Sequence, residues 1–161
     1  MRKIVLFFFL WLSYAPALEA QQSSWEEQND YVNGYARVFH LNKFSFIDHK
    51  RQLIHDFSFE DARNFYHGLA AVKLNDKWGF INTSGKLVVE PQYDIVYDYR
   101  DKISAGYKDK KWYLLDEGGA VFMQPDITAC YGFKNGEAIV SKGDAKGTID
   151  RLGNIAFYDT V

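Results

Sequence analysis

The residues of this sequence that could do chemistry are few and scattered. Its histidines are His40, His49, His55 and His67, all in the first half of the chain. A zinc site needs ligands at short characteristic spacings, typically with a cysteine or carboxylate partner, and these histidines do not show that pattern. His49 and His55 flank a predicted strand, so nothing indicates that they converge. We therefore predict no metal site and interpret the histidines as turn and edge residues.

The densest set of carboxylates is Asp94, Asp98 and Asp101, interleaved with tyrosines. A calcium loop would need a glycine at its sharp bend, and this segment contains none. Paired carboxylates for glycoside hydrolysis must be positioned across a cleft, which the abundance of acidic residues does not by itself indicate. The sequence also lacks a serine-nucleophile motif, a phosphate-cradling glycine loop and a redox cysteine pair. It predicts no catalytic residue and no cofactor.

The first 20 residues have the three-part pattern of a secretory signal peptide. A basic start precedes an apolar run over residues 4–12, and small residues follow. The run is shorter than the ~20 residues that a spanning helix needs, so we expect cleavage after Ala20 or, as an alternative, after Ala17. An uncleaved anchor is the other interpretation. The mature chain is predicted to be exported, periplasmic or secreted, without a membrane span.

Charge and cysteine content narrow the class of protein further. A formal net charge of −2 gives no electrostatic reason to expect binding to nucleic acid or to an anionic membrane. Cys130 is the only cysteine, so disulfides do not hold the domain together. We predict that it is a small buried apolar residue, with an intermolecular bridge as the alternative. The short signal and the lack of disulfides favour a bacterial source.

The elements that position these residues come from a repeat of 34 residues without insertions. Equivalent segments begin at Tyr31, Phe65, Tyr99 and Phe133. A fixed period of this length indicates an array of one supersecondary unit. The predicted organisation is a signal peptide (1–20), a linker (21–30) and a repeat domain (31–161) with units at 31–64, 65–98, 99–132 and 133–161.

Each unit is predicted to contain three short strands. In unit two, apolar residues alternate over 69–74, aromatic and β-branched residues fill 78–81, and a third strand ends before Pro91. A helical tetratricopeptide array is excluded because the runs are short and broken by Gly, Pro, Asn and Asp. Only 59–66 is compatible with a helical turn, and 93–99 is predicted to be an extended or irregular connector.

The predicted fold class is all-β: a tandem array of about four 34-residue, three-stranded units. We expect an open array, with a propeller-like ring as the alternative. Four units of three strands are few for a closed propeller, whose blades typically have four strands. The terminal units of an open array must meet water, and Lys146 fits such a cap because it stands where Trp78 and Trp112 stand in the preceding units.

Unit two resembles the WG-repeat family. The family's hallmarks are a Lys-Trp-Gly-aromatic-Ile-Asp/Asn stretch, a Gly-Lys turn and a Glu-Pro-x-Tyr-Asp close, present here at 77–82, 85–86 and 90–94. Unit one departs with Phe44-Ser45, and unit three has Tyr113 at the glycine position. The resemblance covers roughly 31–157 and implies an architecture and an exported setting, but no shared activity. The signature residues are Lys77, Trp78, Gly79, Phe80, Ile81, Gly85, Pro91, Tyr93 and Trp112.

These observations predict an exported, non-enzymatic repeat protein that acts as a protein-interaction or structural module with a protein partner. Trp78 and Trp112 are interpreted as core residues, not as an exposed ladder. The alternative is a module that binds a carbohydrate or cell-wall ligand through exposed aromatics such as Tyr97, Tyr99 or Trp25. A solvent-facing row of rings would favour the sugar ligand, and buried rings would favour protein contacts.

Overall fold

The computed structural model describes residues 27–56 and 58–158. This part of the chain folds into four small antiparallel sheets that follow one another along the sequence, and it contains no helix. It accordingly contains no helix of the length and hydropathy that crossing a membrane would require. The prediction of an all-β, open repeat array is confirmed.

The four sheets are built from fifteen short strands in the described residues. The first sheet contains β1 (Glu27–Gln28), β2 (Tyr35–His40) and β3 (Lys43–Asp48), and the second contains β4 (Asp61–Ala62), β5 (Leu69–Leu74), β6 (Lys77–Asn82) and β7 (Leu87–Tyr93). The third contains β8 (Ile95–Val96), β9 (Ser104–Lys108), β10 (Lys111–Leu115) and β11 (Val121–Met123), and the fourth contains β12 (Ala129–Lys134), β13 (Glu137–Lys142), β14 (Ala145–Asp150) and β15 (Ile155–Phe157).

Three of the sheets have a fourth strand, and two of these strands lie where the sequence pattern predicts a helical turn and a connector. The helical turn expected within 59–66 is wrong, because β4 lies there and pairs with β5. The connector predicted at 93–99 contains β8, which pairs with β9. Both strands are two residues long, and such a short stretch carries no periodicity. Flanking backbone bonds extend them, such as the bond from Tyr97 N to the carbonyl of Ala105.

Two-residue turns with a left-handed backbone open each unit and explain its Asn, Asp and Gly residues. Asn33 and Gly34 have φ values of 51° and 88°, and the same conformation recurs 34, 68 and 102 residues later. Positive φ at both central positions is typical of the type I′ turn, which matches the twist of antiparallel strands. The most regular part of the sequence repeat is therefore set by turn geometry.

The turn after the second hairpin strand of each unit is held by one carboxylate or amide oxygen. Asp48, Asn82, Asp116 and Asp150 each accept bonds at Oδ1 from the backbone N–H groups two and four residues later. Asn and Asp favour this local bond because their short side chains reach the turn backbone. The final Asp/Asn of the WG-type stretch therefore serves as a turn cap.

The core consists of layers between consecutive sheets. One cluster joins the first and second sheets, a second joins the second and third, and a third joins the third and fourth. The first sheet also buries Ala36, Val38 and Ile47 on the side that faces away from the second sheet, with Leu53 packed against them. Within the described residues, no sheet follows the fourth one, so the array is open at this end.

Candidate functional site: the outer face of the fourth sheet

The histidines do not assemble into a site. No group of three or more His, Cys, Asp or Glu side chains in the described part of the chain could hold a metal ion. His55 Nδ1 lies 2.8 Å from the carbonyl oxygen of Asp56, and its ring packs 4.7 Å from that of Phe59. His67 occupies a left-handed turn position with φ of 50°. These contacts are structural.

The three aspartates 94, 98 and 101 are engaged separately. Asp94 forms an ion pair with Lys77, and Asp98 lies 3.7 Å from the guanidinium of Arg63. Asp101 Oδ2 accepts a 2.6 Å bond from the backbone N–H of Gly136, which links unit three to unit four. Each carboxylate therefore stabilises a different part of the array.

The aromatic residues proposed for a sugar site lie mostly in the core. Tyr99 is 1% exposed, and Tyr97 is half-buried with its ring stacked 6.0 Å from that of Trp112. Trp25 lies outside the described residues. Trp78 is 9% exposed and Trp112 6% exposed, so neither belongs to a solvent-facing ladder.

The remaining signature residues of unit two lie in the β6–β7 hairpin and its packing. Phe80 and Ile81 are fully buried, and Gly85 takes φ of 80° at the capped turn. The prediction that the third strand of unit two ends before Pro91 is wrong, because β7 continues through Pro91 to Tyr93, with a shift in its register against β6. Tyr93 packs so closely on Gly106 of the third sheet that an added Cβ there would lie 2.6 Å from the tyrosine ring. These residues determine architecture, and no reactive group lies among them.

The exposed apolar surface with the most regular geometry lies on the outer side of the fourth sheet. In β13, Ala138 and Val140 are buried in the core shared with the third sheet, so the alternate residues face away from it. We call this outer side the terminal face, defined by Tyr131, Glu137, Ile139, Lys146, Thr148 and Ala156.

Large side chains on the terminal face are open to solvent. Tyr131 is 61% exposed and Ile139 is 55% exposed. Ile139 lies directly opposite Thr148 on β14, which in turn lies opposite Ala156 on β15. Cys130 pairs with Val140 and Phe133 with Ala138, so a register shift places both Tyr131 and Gly132 opposite Ile139. Tyr131, Ile139, Thr148 and Ala156 form one row across the sheet, which we call the apolar row.

The repeat shows what this row does elsewhere in the molecule. Ala105 and Leu114 stand 34 residues before Ile139 and Thr148, and both are fully buried between the third and fourth sheets. One further repeat back, Ala71 and Phe80 are buried between the second and third sheets. The positions that bind the next sheet inside the array are thus the ones left open at its end.

Sequence analysis identified the cap at Lys146 but missed this row. Lys146 is exposed and Thr148 replaces a large apolar residue, as expected of a terminal unit. Position 139 shows the opposite change in side-chain size, because Ile139 is larger than the alanine found at the equivalent buried positions. That reversal is visible in the aligned units, and comparing residue size at equivalent positions would have found it.

Burial raises the pKa values of two ionisable side chains in the core. Cys130 is 1% exposed, and burial raises the pKa of its thiol, so it is a packing residue and not a free reactive group at the surface. Burial also raises the pKa of Tyr99, with the nearby Asp116 as a smaller cause. Within the described residues the Tyr99 hydroxyl is buried without a hydrogen-bond partner.

Comparison with known proteins supports the repeat assignment and leaves the activity open. The family model described as "WG containing repeat" matches residues 44–78 and 78–112, so this part of the chain is similar to WG repeats. No curated protein matches the chain. Among solved structures, the "Crystal structure of the computationally designed Ika4 protein" is 13% identical, with a TM-score of 0.47 over 80% of this chain and 86% of that one. A likeness that distant carries no argument about function.

Proposed function

We propose that this chain, whose residues 44–112 are similar to WG repeats, is an exported protein-interaction module without enzymatic activity. Its docking surface is the terminal face. The observation that carries the proposal is the exposure of Ile139, whose equivalents Ala71 and Ala105 are buried between the inner sheets, together with the exposed Tyr131 on the same face. Export rests on the signal-peptide pattern of residues 1–20.

Apolar area exposed to water on the terminal face is unfavourable, and a partner can remove it from water. Burying such area stabilises a contact by roughly 25 cal/mol per Å². Rings flanked by charged residues are typical of the centre and rim of protein interfaces, where tyrosine is enriched. On the terminal face, Tyr131 and Ile139 form the centre, while Glu137 and Lys146 stand at opposite ends of the strands. The face therefore resembles an interface more than a solvated cap.

A carbohydrate ligand is less well supported by the positions of the rings. Tyr99 is buried, and Tyr97 is already stacked on a tryptophan. In the apolar row the aromatic ring is that of Tyr131, and its neighbours are aliphatic. A second exposed ring, Tyr158, lies outside the row at the Lys146 end, where its backbone N–H donates to the Lys146 carbonyl. A sugar platform usually needs flat rings with polar groups beside them, so we place the protein partner first.

The test is an affinity capture from the native envelope fraction with the exported chain as bait, its N-terminus read by mass spectrometry. Wild type is compared with Ile139→Lys and with Ile95→Lys, a matched change at an exposed isoleucine of β8. We expect a stoichiometric protein that Ile95→Lys retains and Ile139→Lys loses. Recovery of glycan alone, or equal capture by all three baits, would overturn the proposal.

The N-terminal reading tests export independently. A chain recovered outside the cytoplasm that begins at Gln21 or Leu18 would agree with cleavage after Ala20 or Ala17. A chain that stays in the cytoplasm with Met1 in place would contradict the export prediction, and would leave the docking surface to be judged by the capture experiment.

A further inference from the structure

We propose that the terminal face binds a second copy of this chain, face to face, around a two-fold axis. The inference rests on the proposed function, because it names the partner of that same surface. Two observations carry it: the inner sheets already use the equivalent row for sheet-on-sheet packing, and the charges at the two ends of the face are complementary to each other.

The apolar row is suited to sheet-on-sheet contact. Inside the array, the equivalent residues Ala105 and Leu114 pack against Ala138, Val140 and Ile149 of the following sheet. On the terminal face, Ile139 and Thr148 keep the direct cross-strand pairing of Ala105 and Leu114, and a tyrosine ring and an alanine flank them. A contact of the same kind therefore needs only another sheet face that carries an apolar row.

The charges lie on either side of this row. Glu137 and Asp150 lie opposite each other on β13 and β14, at one end of the strands. Lys146 lies opposite Ser141 at the other end. Lys134 on β12 pairs with Glu137, so the acidic end also contains one basic residue. The face thus has an acidic end, an apolar middle and a basic end.

A two-fold axis along the apolar row turns the acidic end of one copy onto the basic end of the other. Lys146 of each copy then meets Asp150, with Glu137 beside it, while Lys134 meets the neutral Ala129 edge. The arrangement produces two equivalent attractive contacts and no like-charge pair. An isologous interface of this kind closes after two subunits and does not extend into a filament.

The size of the face sets the strength to expect. Three strands of six residues and one of three, about 4.8 Å apart, give a patch roughly 15–20 Å on a side. That is smaller than the ~800 Å² per partner of a standard interface. We therefore expect a reversible dimer with a Kd in the micromolar range, not an obligate one.

The first measurement is sedimentation velocity of the exported chain over protein concentrations from about 1 to 300 μM, which bracket that range. Wild type should shift from monomer to dimer, and Ile95→Lys should behave in the same way. Ile139→Lys should remain monomeric throughout, with an unchanged circular dichroism spectrum and melting temperature. Monomeric wild type at the highest concentration would overturn the inference.

A charge exchange tests the two-fold arrangement specifically. Lys146→Glu should weaken the dimer at least tenfold, because the new carboxylate faces Asp150 and Glu137 of the other copy. Adding Glu137→Lys to that variant should restore part of the affinity, and an equimolar mixture of the two single variants should associate more tightly than Lys146→Glu alone. Equal dissociation constants for all these proteins would overturn the arrangement.

The two proposals fail in different ways. If the chain is monomeric but the envelope capture still yields a protein that Ile139→Lys loses, the terminal face is a docking surface for another protein and the self-association inference is wrong. If neither dimer nor captured protein depends on Ile139, both are wrong.

Discussion

The third and fourth sheets carry equivalent residues in opposite environments. Leu114 and Ala105 are fully buried against the next sheet, whereas Thr148 and Ile139, 34 residues later, belong to the open end of the array. The strand order and the register of the central hairpin are the same in both sheets. The difference teaches that the repeat determines local conformation, while the number of neighbouring sheets determines which residues are core and which are surface.

The largest expected effect contrasts Trp112 with Lys146, which hold the same position in these two sheets. Trp112→Ala removes a buried ring that packs on Tyr97 and Tyr107, and should cost about 3–5 kcal/mol of unfolding free energy. Lys146→Ala should change it by less than about 0.5 kcal/mol. Urea denaturation of both variants checks this. Similar costs would contradict the different environments of the two sheets.

The second and third sheets differ at the position of the signature glycine, Gly79. A Cβ on Gly79 would overlap the carbonyl oxygen of Val89 and lie 2.8 Å from Pro91 N, because β7 runs past it to Tyr93. In the third sheet β11 ends at Met123, which leaves room for Tyr113 at the same position.

Gly79→Ala should therefore cost about 3 kcal/mol, since backbone and not a flexible side chain must move. Gly118→Ala is the matched control, because its added Cβ would meet only the Asp116 side chain at 3.4 Å. It should change the unfolding free energy by less than about 0.5 kcal/mol. A melting temperature for Gly79→Ala equal to that of wild type would show that β7 can shift away.

Exchanging one residue between the third and fourth sheets tests the comparison directly. Leu114→Thr should cost about 2–3 kcal/mol, because it places a hydroxyl and a smaller volume in the core between them. Thr148→Leu should leave the unfolding free energy within about 0.5 kcal/mol of wild type. Thermal melts of the two variants, at equal protein concentration, give the answer. A loss for Thr148→Leu as large as that for Leu114→Thr would contradict it.

The smallest expected effect concerns Tyr99, whose equivalents in units two and four are Phe65 and Phe133, while unit one has Tyr31. Its hydroxyl is buried and unpaired, so Tyr99→Phe should stabilise the fold by about 1 kcal/mol at neutral pH. Burial raises the pKa of Tyr99 above its usual value of about 10. The stability that depends on the neutral phenol is therefore fully present below pH 10 and is lost as the pH rises above it.

The advantage of the phenylalanine variant should consequently widen in alkaline solution. Denaturation of wild type and Tyr99→Phe at pH 7 and at about pH 10.5 measures the change. A variant less stable than wild type at pH 7 would show that the hydroxyl has a partner, such as a bound water.

How much of the fold the sequence reveals depends on the length of each element. The 34-residue period, the capped turns at Asn82 and its equivalents, and the six-residue strands all leave a clear pattern, because side-chain direction or positive φ constrains every residue. The two-residue strands β4 and β8 leave none, since backbone bonds to a preformed neighbour hold them. The sequence pattern therefore predicts a helical turn and a connector at these two places.

The terminal face illustrates the same limit for the site. Periodicity identifies Ile139 as the equivalent of Ala105, but it does not say which of the two has a sheet packed on it. Only the end of the array decides that. Lys146 is recognisable as a cap because it replaces tryptophan. Ile139 replaces alanine, and an apolar residue at that position is expected in the core unless its exposure is known.

Hydroxyl-radical footprinting of the exported chain tests the central claim most directly, because it reports the solvent exposure of individual side chains. In dilute solution, Tyr131 and Ile139 should oxidise rapidly, while Trp112 and Leu114 should be protected. At high protein concentration, or with the captured partner, protection should appear at Tyr131 and Ile139 while Ile95 keeps its rate. Unchanged oxidation of Tyr131 and Ile139 under both conditions would contradict the account of the terminal face as a docking surface.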